Sequence, residues 1–116
     1  MGLQKKTAAT AYEVKISTNA LQNIDEITGY IAFVNQQPLN AVKVGDSLYT
    51  VIDRIARSPF AFRECQELPT KAKMYRRALC YSWRIIYRIK DNKVLILGVI
   101  HSSRHPSVIR PLGRVR

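Results

Sequence analysis

Five basic side chains in the second half of the chain have types and spacings that could act on a phosphate: Arg77, Arg84, Arg88, His101 and Arg104. Guanidinium forks match phosphate oxygens in pairs and offset charge that builds up in a transition state, and imidazole moves protons near neutral pH. Together they outline an anion site, with Arg84 and His101 as catalytic candidates if the chain cuts a phosphodiester, and Arg77, Arg88 and Arg104 as phosphate- or target-binding groups. A lone histidine near a strand end is more often held by its own backbone, so His101 draws its weight from the cluster.

Other reactive residues have blander readings. Glu64 and Glu67 fall in a polar loop and read as solvated charges. Cys65 and Cys80 have no metal-ligand spacing and no local His or Asp partner, so they read as two reduced thiols of a cytoplasmic protein; no metal or cofactor is expected. Trp83 and the tyrosines at 75, 81 and 87 alternate as strand packing does. Phosphate-binding glycine loops are absent.

The elements that must position these groups follow from periodicity. Tyr12 to Ile16 alternates apolar and polar residues and reads as a first strand. Ser17 and Thr18 offer an N-cap, and Ala20, Ile24, Ile27, Ile31 and Val34 form the stripe of an amphipathic helix ending near Pro38. A second helix starts at Pro38 and carries Ala41, Val44, Leu48, Val51 or Ile52, and Ile55 on one side, closing at Ser58-Pro59. After a polar loop over 60–73, three strand patterns span Tyr75–Cys80, Trp83–Ile89 and Val94–His101. The expected class is α+β, in the order β-α-α-β-β-β, with a helical hairpin packed on a largely antiparallel sheet.

A two-residue turn at Asp91-Asn92 sets a register in which Lys90 opposes Lys93, Arg88 opposes Leu95, Ile86 opposes Leu97, Arg84 opposes Val99 and Ser82 opposes His101. That register puts Arg84, Arg88 and His101 on one face, and Trp83, Ile85, Tyr87, Ile89, Val94, Ile96 and Ile100 on the core face. An even-length link at Tyr81-Ser82 brings Arg77 to the arginine face.

Composition bounds the function. The 116 residues make one domain, with residues 1–11 expected as an N-terminal tail, 12–106 as the folded unit and 107–116 as a basic C-terminal tail. Nineteen Lys and Arg against eight Asp and Glu give a net charge of +11. Residues 1–58 contribute six basic and five acidic groups, and residues 59–116 contribute thirteen and three, so the second half carries +10. That asymmetry calls for a polyanionic partner, nucleic acid or an acidic protein. The longest apolar run, Val94 to Ile100, is far short of the roughly 20 residues of a bilayer span, and no secretory h-region follows Lys5 and Lys6.

Several blocks, in their order, resemble the RelE/ParE superfamily of toxins from bacterial type II toxin–antitoxin modules. They are Ala20-Leu21-x-x-Ile24-x-x-Ile27-x-x-Tyr30-Ile31, Pro38-x-x-Ala41, Ile55-Ala56-x-Ser58-Pro59, Tyr75-Arg76-Arg77, Trp83 through Ile89, and Val99-Ile100-His101-x-x-Arg104-x-Pro106. The resemblance spans residues 12–106. It implies a growth-inhibiting toxin neutralised by a cognate antitoxin, often encoded for plasmid or genomic-island maintenance. ParE-like members poison DNA gyrase, and RelE-like members cut mRNA on the ribosome.

The RelE-like nucleases resemble this chain at Arg84 and approximately at Arg77 and Arg104, but they commonly carry a tyrosine near the C-terminal end. Here that region reads His105-Pro106-Ser107-Val108-Ile109-Arg110, leaving His101 or His105 as a substitute base. The ending His101-Ser-Ser-Arg104-x-Pro resembles the ParE pattern more closely, so inhibition of gyrase is the preferred expectation and ribosome-dependent mRNA cleavage the alternative. A nonspecific basic nucleic-acid-binding module is a third.

Overall fold

The computed structural model describes residues 12–116. The first eleven residues, expected as a tail, lie outside the described part. Strand β1 (Glu13–Ile16) leads into helix α1 (Thr18–Gly29), which continues as a π-helical turn over Tyr30–Val34; helix α2 (Pro38–Arg57) returns antiparallel to it. Strands β2 (Arg63–Glu64), β3 (Tyr75–Cys80), β4 (Trp83–Lys90) and β5 (Lys93–His101) follow, and two short 3₁₀ turns, Pro106–Val108 and Arg110–Arg114, close the chain. The sheet order is β1-β5-β4-β3-β2, with β1 parallel to β5 and the other pairs antiparallel. The expected element order is thus present, with β2 added inside the segment read as a polar loop.

Local chemistry sets the hairpin. The Ser17 hydroxyl caps α1 by accepting from the Ala20 amide at 3.0 Å, and it donates to the Leu97 carbonyl at 3.2 Å. Pro38 opens α2, where its missing N–H costs nothing. The α2 stripe Ala41, Val44, Leu48, Val51, Ile52 and Ile55 is buried as its spacing requires. The α1 stripe holds through Ile31 but fails at Val34, which is 62% exposed. The π-helical turn, closed by the Asn35 amide on the Tyr30 carbonyl at 3.1 Å, holds an extra residue per turn and rotates Val34 away from the core.

Both hairpins between the long strands are two-residue turns. Asp91 and Asn92 both have positive φ, 54° and 62°, the backbone that a type I′ turn demands. The Tyr81-Ser82 link puts Cys80 opposite Trp83, so its even length holds.

The sheet carries two apolar clusters, one per face. On the helix side, Ile85, Tyr87, Ile89, Val94, Ile96 and Val99 meet Ala20, Ile24, Leu48, Ile52 and Ile55. On the outer side, Ile86 and Leu97 meet Cys65, Ile109 and Leu112. The C-terminal residues read as a basic tail therefore fold back, and Ile109 and Leu112 are buried against the outer face of the sheet.

Candidate functional site

A β-bulge decides where the candidate residues point. From the Asp91-Asn92 turn the register runs as the sequence requires through Arg88–Leu95 and Tyr87–Ile96. It then shifts: Ile86 pairs with Gly98 rather than Leu97, Arg84 with Ile100 rather than Val99, and Trp83 takes the place of Ser82 opposite His101. Leu97 is the extra residue of β5, and every residue after it changes face. Val99 thereby replaces Ile100 in the helix-side core, and Ile100 packs with the outer cluster.

The same shift separates the two catalytic candidates. His101 lies with Trp83 on the helix side, their rings edge to face at 5.8 Å between centroids, and Arg84 lies on the outer face. The expectation that Arg84, Arg88 and His101 share a face is therefore corrected for His101. Arg77 pairs with Ile86 and joins Arg84 and Arg88 on the outer face, as the even-length link requires.

The imidazole of His101 is exposed and held by its own turn, because Nδ1 accepts from the Ser103 amide at 3.1 Å and meets the Ser103 hydroxyl at 2.7 Å. His105 repeats that motif with Ser107. Both are the locally satisfied histidines that the blander reading describes.

Two surfaces result. The outer face carries Arg63 and Arg77, which pair across β2 and β3, then Arg84 and Arg88 on β4. Arg84 is largely buried, with 14% of its side chain exposed, and its Nη1 lies 3.6 Å from Glu67 Oε2. Its Nε is buried without a hydrogen-bond partner among the described residues. Glu67, read as a solvated charge, is instead the counterion of Arg84 and also accepts from the Cys65 thiol at 3.6 Å. Burial, reinforced by the nearby Glu67 carboxylate, pushes that thiol up to about 11. Cys65 is thus an inert, protonated packing residue. Sequence spacing showed no sign of the Glu67 contact, because the partners are seventeen positions apart with strand β3 between them.

The second surface is a cleft of about 860 Å³ where α1, the start of α2 and the end of β5 converge. Asn23, Glu26, Tyr30, Lys43, Trp83, His101 and Arg104 line it. Asn19 and Asn23 shape its wall by bonding the edge of β5 beyond the end of β1: Asn19 Nδ2 donates to the Leu97 carbonyl at 2.9 Å, and Asn23 Oδ1 accepts from the Val99 amide at 2.9 Å. Gly98 lets the neighbours pack close there, since a Cβ would stand 3.0 Å from Leu112 Cδ2 and 3.1 Å from Asn23 Oδ1. Beside the cleft, the hairpin tip exposes Tyr30, Phe33, Val34, Leu39 and Val42, with Phe33 at 83% and Leu39 at 85%. Tyr30, Phe33, Leu39 and Val42, which lie off the expected stripes, were a readable signal of a docking surface.

Arg76, beside Arg77 in sequence, serves the fold. Its guanidinium lies 5.0 Å from the Phe60 ring centre and donates to the carbonyls of Phe60, Phe62 and Lys73. Among the described residues, no three His, Cys, Asp or Glu side chains converge on a possible metal position.

Residues 14–106 match the family described as "ParE toxin of type II toxin-antitoxin system, parDE". The chain belongs to the ParE toxin family. Solved structures agree on the fold. The chromosomal ParDE toxin–antitoxin system of P. aeruginosa superposes with a TM-score of 0.61 at 15% identity, covering 79% of this chain and 97% of that one. The RelBE2 toxin–antitoxin complex of Mycobacterium tuberculosis gives 0.53 at 22% identity, over 78% and 98%. A mutant of E. coli toxin RelE in the free state gives 0.61 at 15% identity, over 90% and 97%. No curated protein matches the chain by sequence. This ParE-family chain is the toxin of a type II toxin–antitoxin module, in the RelE/ParE superfamily. Among its described residues, no helix is long and apolar enough to cross a membrane.

Proposed function

We propose that this toxin acts in the cytoplasm by inhibiting DNA gyrase, and that its antitoxin neutralises it with an acidic segment. One observation carries the choice of target: Arg84 and His101, the pair that would cut a phosphodiester, stand on opposite faces of the sheet. A general acid must reach the leaving group while the arginine holds the phosphate, and a sheet between Arg84 and His101 argues against that pairing. The outer arginine face is also filled, with Glu67 on Arg84 and with Ile109 and Leu112 packed over Ile86 and Leu97. The match to the ParE family supports the same target.

The antitoxin reading rests on complementarity. Lys43, His101 and Arg104 line a cleft together with Trp83, next to the exposed apolar hairpin tip. An acidic segment with aliphatic residues fits both features, ordering as it binds. Such a module serves plasmid or genomic-island maintenance.

The test is supercoiling of relaxed plasmid by purified gyrase. Antitoxin-free protein is expected to stop supercoiling and leave broken DNA, and stoichiometric antitoxin to restore the reaction. Unimpaired supercoiling by a preparation that arrests growth would refute the proposal.

A further inference from the structure

Tyr81 is an exposed aromatic residue on a backbone that bulky side chains rarely adopt. Alternation reads it as strand packing, yet it opens the two-residue turn between β3 and β4, with φ at 52°. A left-handed backbone crowds the β-carbon against the following carbonyl and costs free energy, whereas asparagine, aspartate and glycine accept it readily. The Asp91-Asn92 turn of the same sheet places those ordinary residues at 54° and 62°. Packing does not explain the tyrosine. It is 59% exposed and belongs to neither apolar cluster, and its hydroxyl meets that of Ser47 on α2 at 3.3 Å. A bulky residue held on a strained backbone with its ring in solvent points to a role outside the fold.

The position of the ring indicates that role. Tyr81 lines the cleft of about 860 Å³ together with Tyr30 and Trp83, so three aromatic side chains share one concave surface. Lys43 and Arg104 outnumber the single carboxylate there, Glu26. We propose that Tyr81 is a specificity-determining residue of the antitoxin interface: with Tyr30 and Trp83 it receives one large apolar side chain of the antitoxin's acidic segment, while Lys43 and Arg104 take carboxylates beside it. Aromatic rings supply contact area at little cost in conformational entropy, and the Ser47 contact holds this one before the partner arrives. The backbone strain is what the fold bears to keep the ring at the cleft. This inference rests on the antitoxin reading above and is independent of the gyrase reading.

The experiment measures two properties of the full chain: the Tm of the antitoxin-free toxin, and its affinity by calorimetry for the antitoxin encoded in the same module. Tyr81→Asn is expected to raise Tm by about 3 °C, because asparagine accepts the backbone, and to weaken antitoxin binding about 30-fold, the scale of an aromatic hot spot. Tyr81→Phe, which keeps the ring and loses the Ser47 contact, is expected to bind within about threefold of the wild type. The opposite signs set a binding residue apart from a structural one, whose loss would lower Tm as well. A Tm that does not rise or an affinity that does not fall in Tyr81→Asn overturns the inference, and so does a Tyr81→Phe variant that binds as weakly as Tyr81→Asn. Arg104→Glu distinguishes that failure from failure of the antitoxin reading. Weakened binding in Arg104→Glu with none in Tyr81→Asn overturns the role of Tyr81 alone, and unchanged binding in both removes the antitoxin from the cleft.

Discussion

The two faces of the sheet are built from the same three strands and hold their contents differently. On the helix side, two long amphipathic helices cover a continuous row of aliphatic side chains, and the hydroxyl of buried Tyr87 donates to the Pro59 carbonyl at 2.6 Å. On the outer side, a short C-terminal segment covers Ile86 and Leu97 through Ile109 and Leu112, tied by few polar contacts such as Tyr75 to the Gly113 carbonyl at 3.4 Å. The helix side carries the stability of the fold. The outer side carries charge and a smaller cover supplied by one terminal segment.

The largest expected effect tests the helix side. Ile85, fully buried in the main cluster, loses its methyl and methylene groups in Ile85→Ala, at a cost of about 3–4 kcal/mol in urea denaturation. A loss below about 1 kcal/mol would place the stabilising core elsewhere.

Ile109→Ala probes the cover. Its expected cost is about 2 kcal/mol, the low end for a buried isoleucine, because a terminal segment can relax around the void. The sharper readout is local. Cys65, under the cover, is expected to react faster with a thiol reagent, and Cys80, on the helix side, at its former rate. Equal acceleration at both thiols would mean that the faces open together and erase the contrast.

The smallest effect is alkaline. The Cys65 thiol ionises near its ordinary value of 9.0 in the unfolded chain and near about 11 in the folded one. Between those values the unfolded state binds fewer protons, so stability is full below the lower value and falls as pH rises through the window. Tyr87, raised by burial on the helix side, adds a decline at higher pH. A Tm-against-pH series is expected to show a shallower slope for Cys65→Ala than for the wild type across that window; identical slopes would remove the thiol from the account.

How much of this was legible follows from what each feature depends on. The helices, the Ser17 cap and the Asp91-Asn92 turn depend on local spacing, and the sequence specifies them directly. The bulge at Leu97 sits beside Gly98, where the backbone lies close to Leu112 and Asn23 from distant elements, and alternation alone carried the register past it. That single residue moved His101 from the arginine face to the cleft. The Arg84–Glu67 pair and the packed C-terminus were hidden for the same reason, and the exposed Val34 because nothing in its stripe marks a π-helical turn. Arg77 beside Arg84 needed just the parity of one turn, and was legible.

The central claim is that separating Arg84 from His101 leaves a toxin that does not cut mRNA. Primer extension on a defined mRNA in a translating bacterial extract, with antitoxin-free protein added, tests it most directly. The account predicts intact message at protein levels that arrest growth. Discrete, ribosome-dependent cuts that vanish in Arg84→Ala would contradict it and make the outer face an active site.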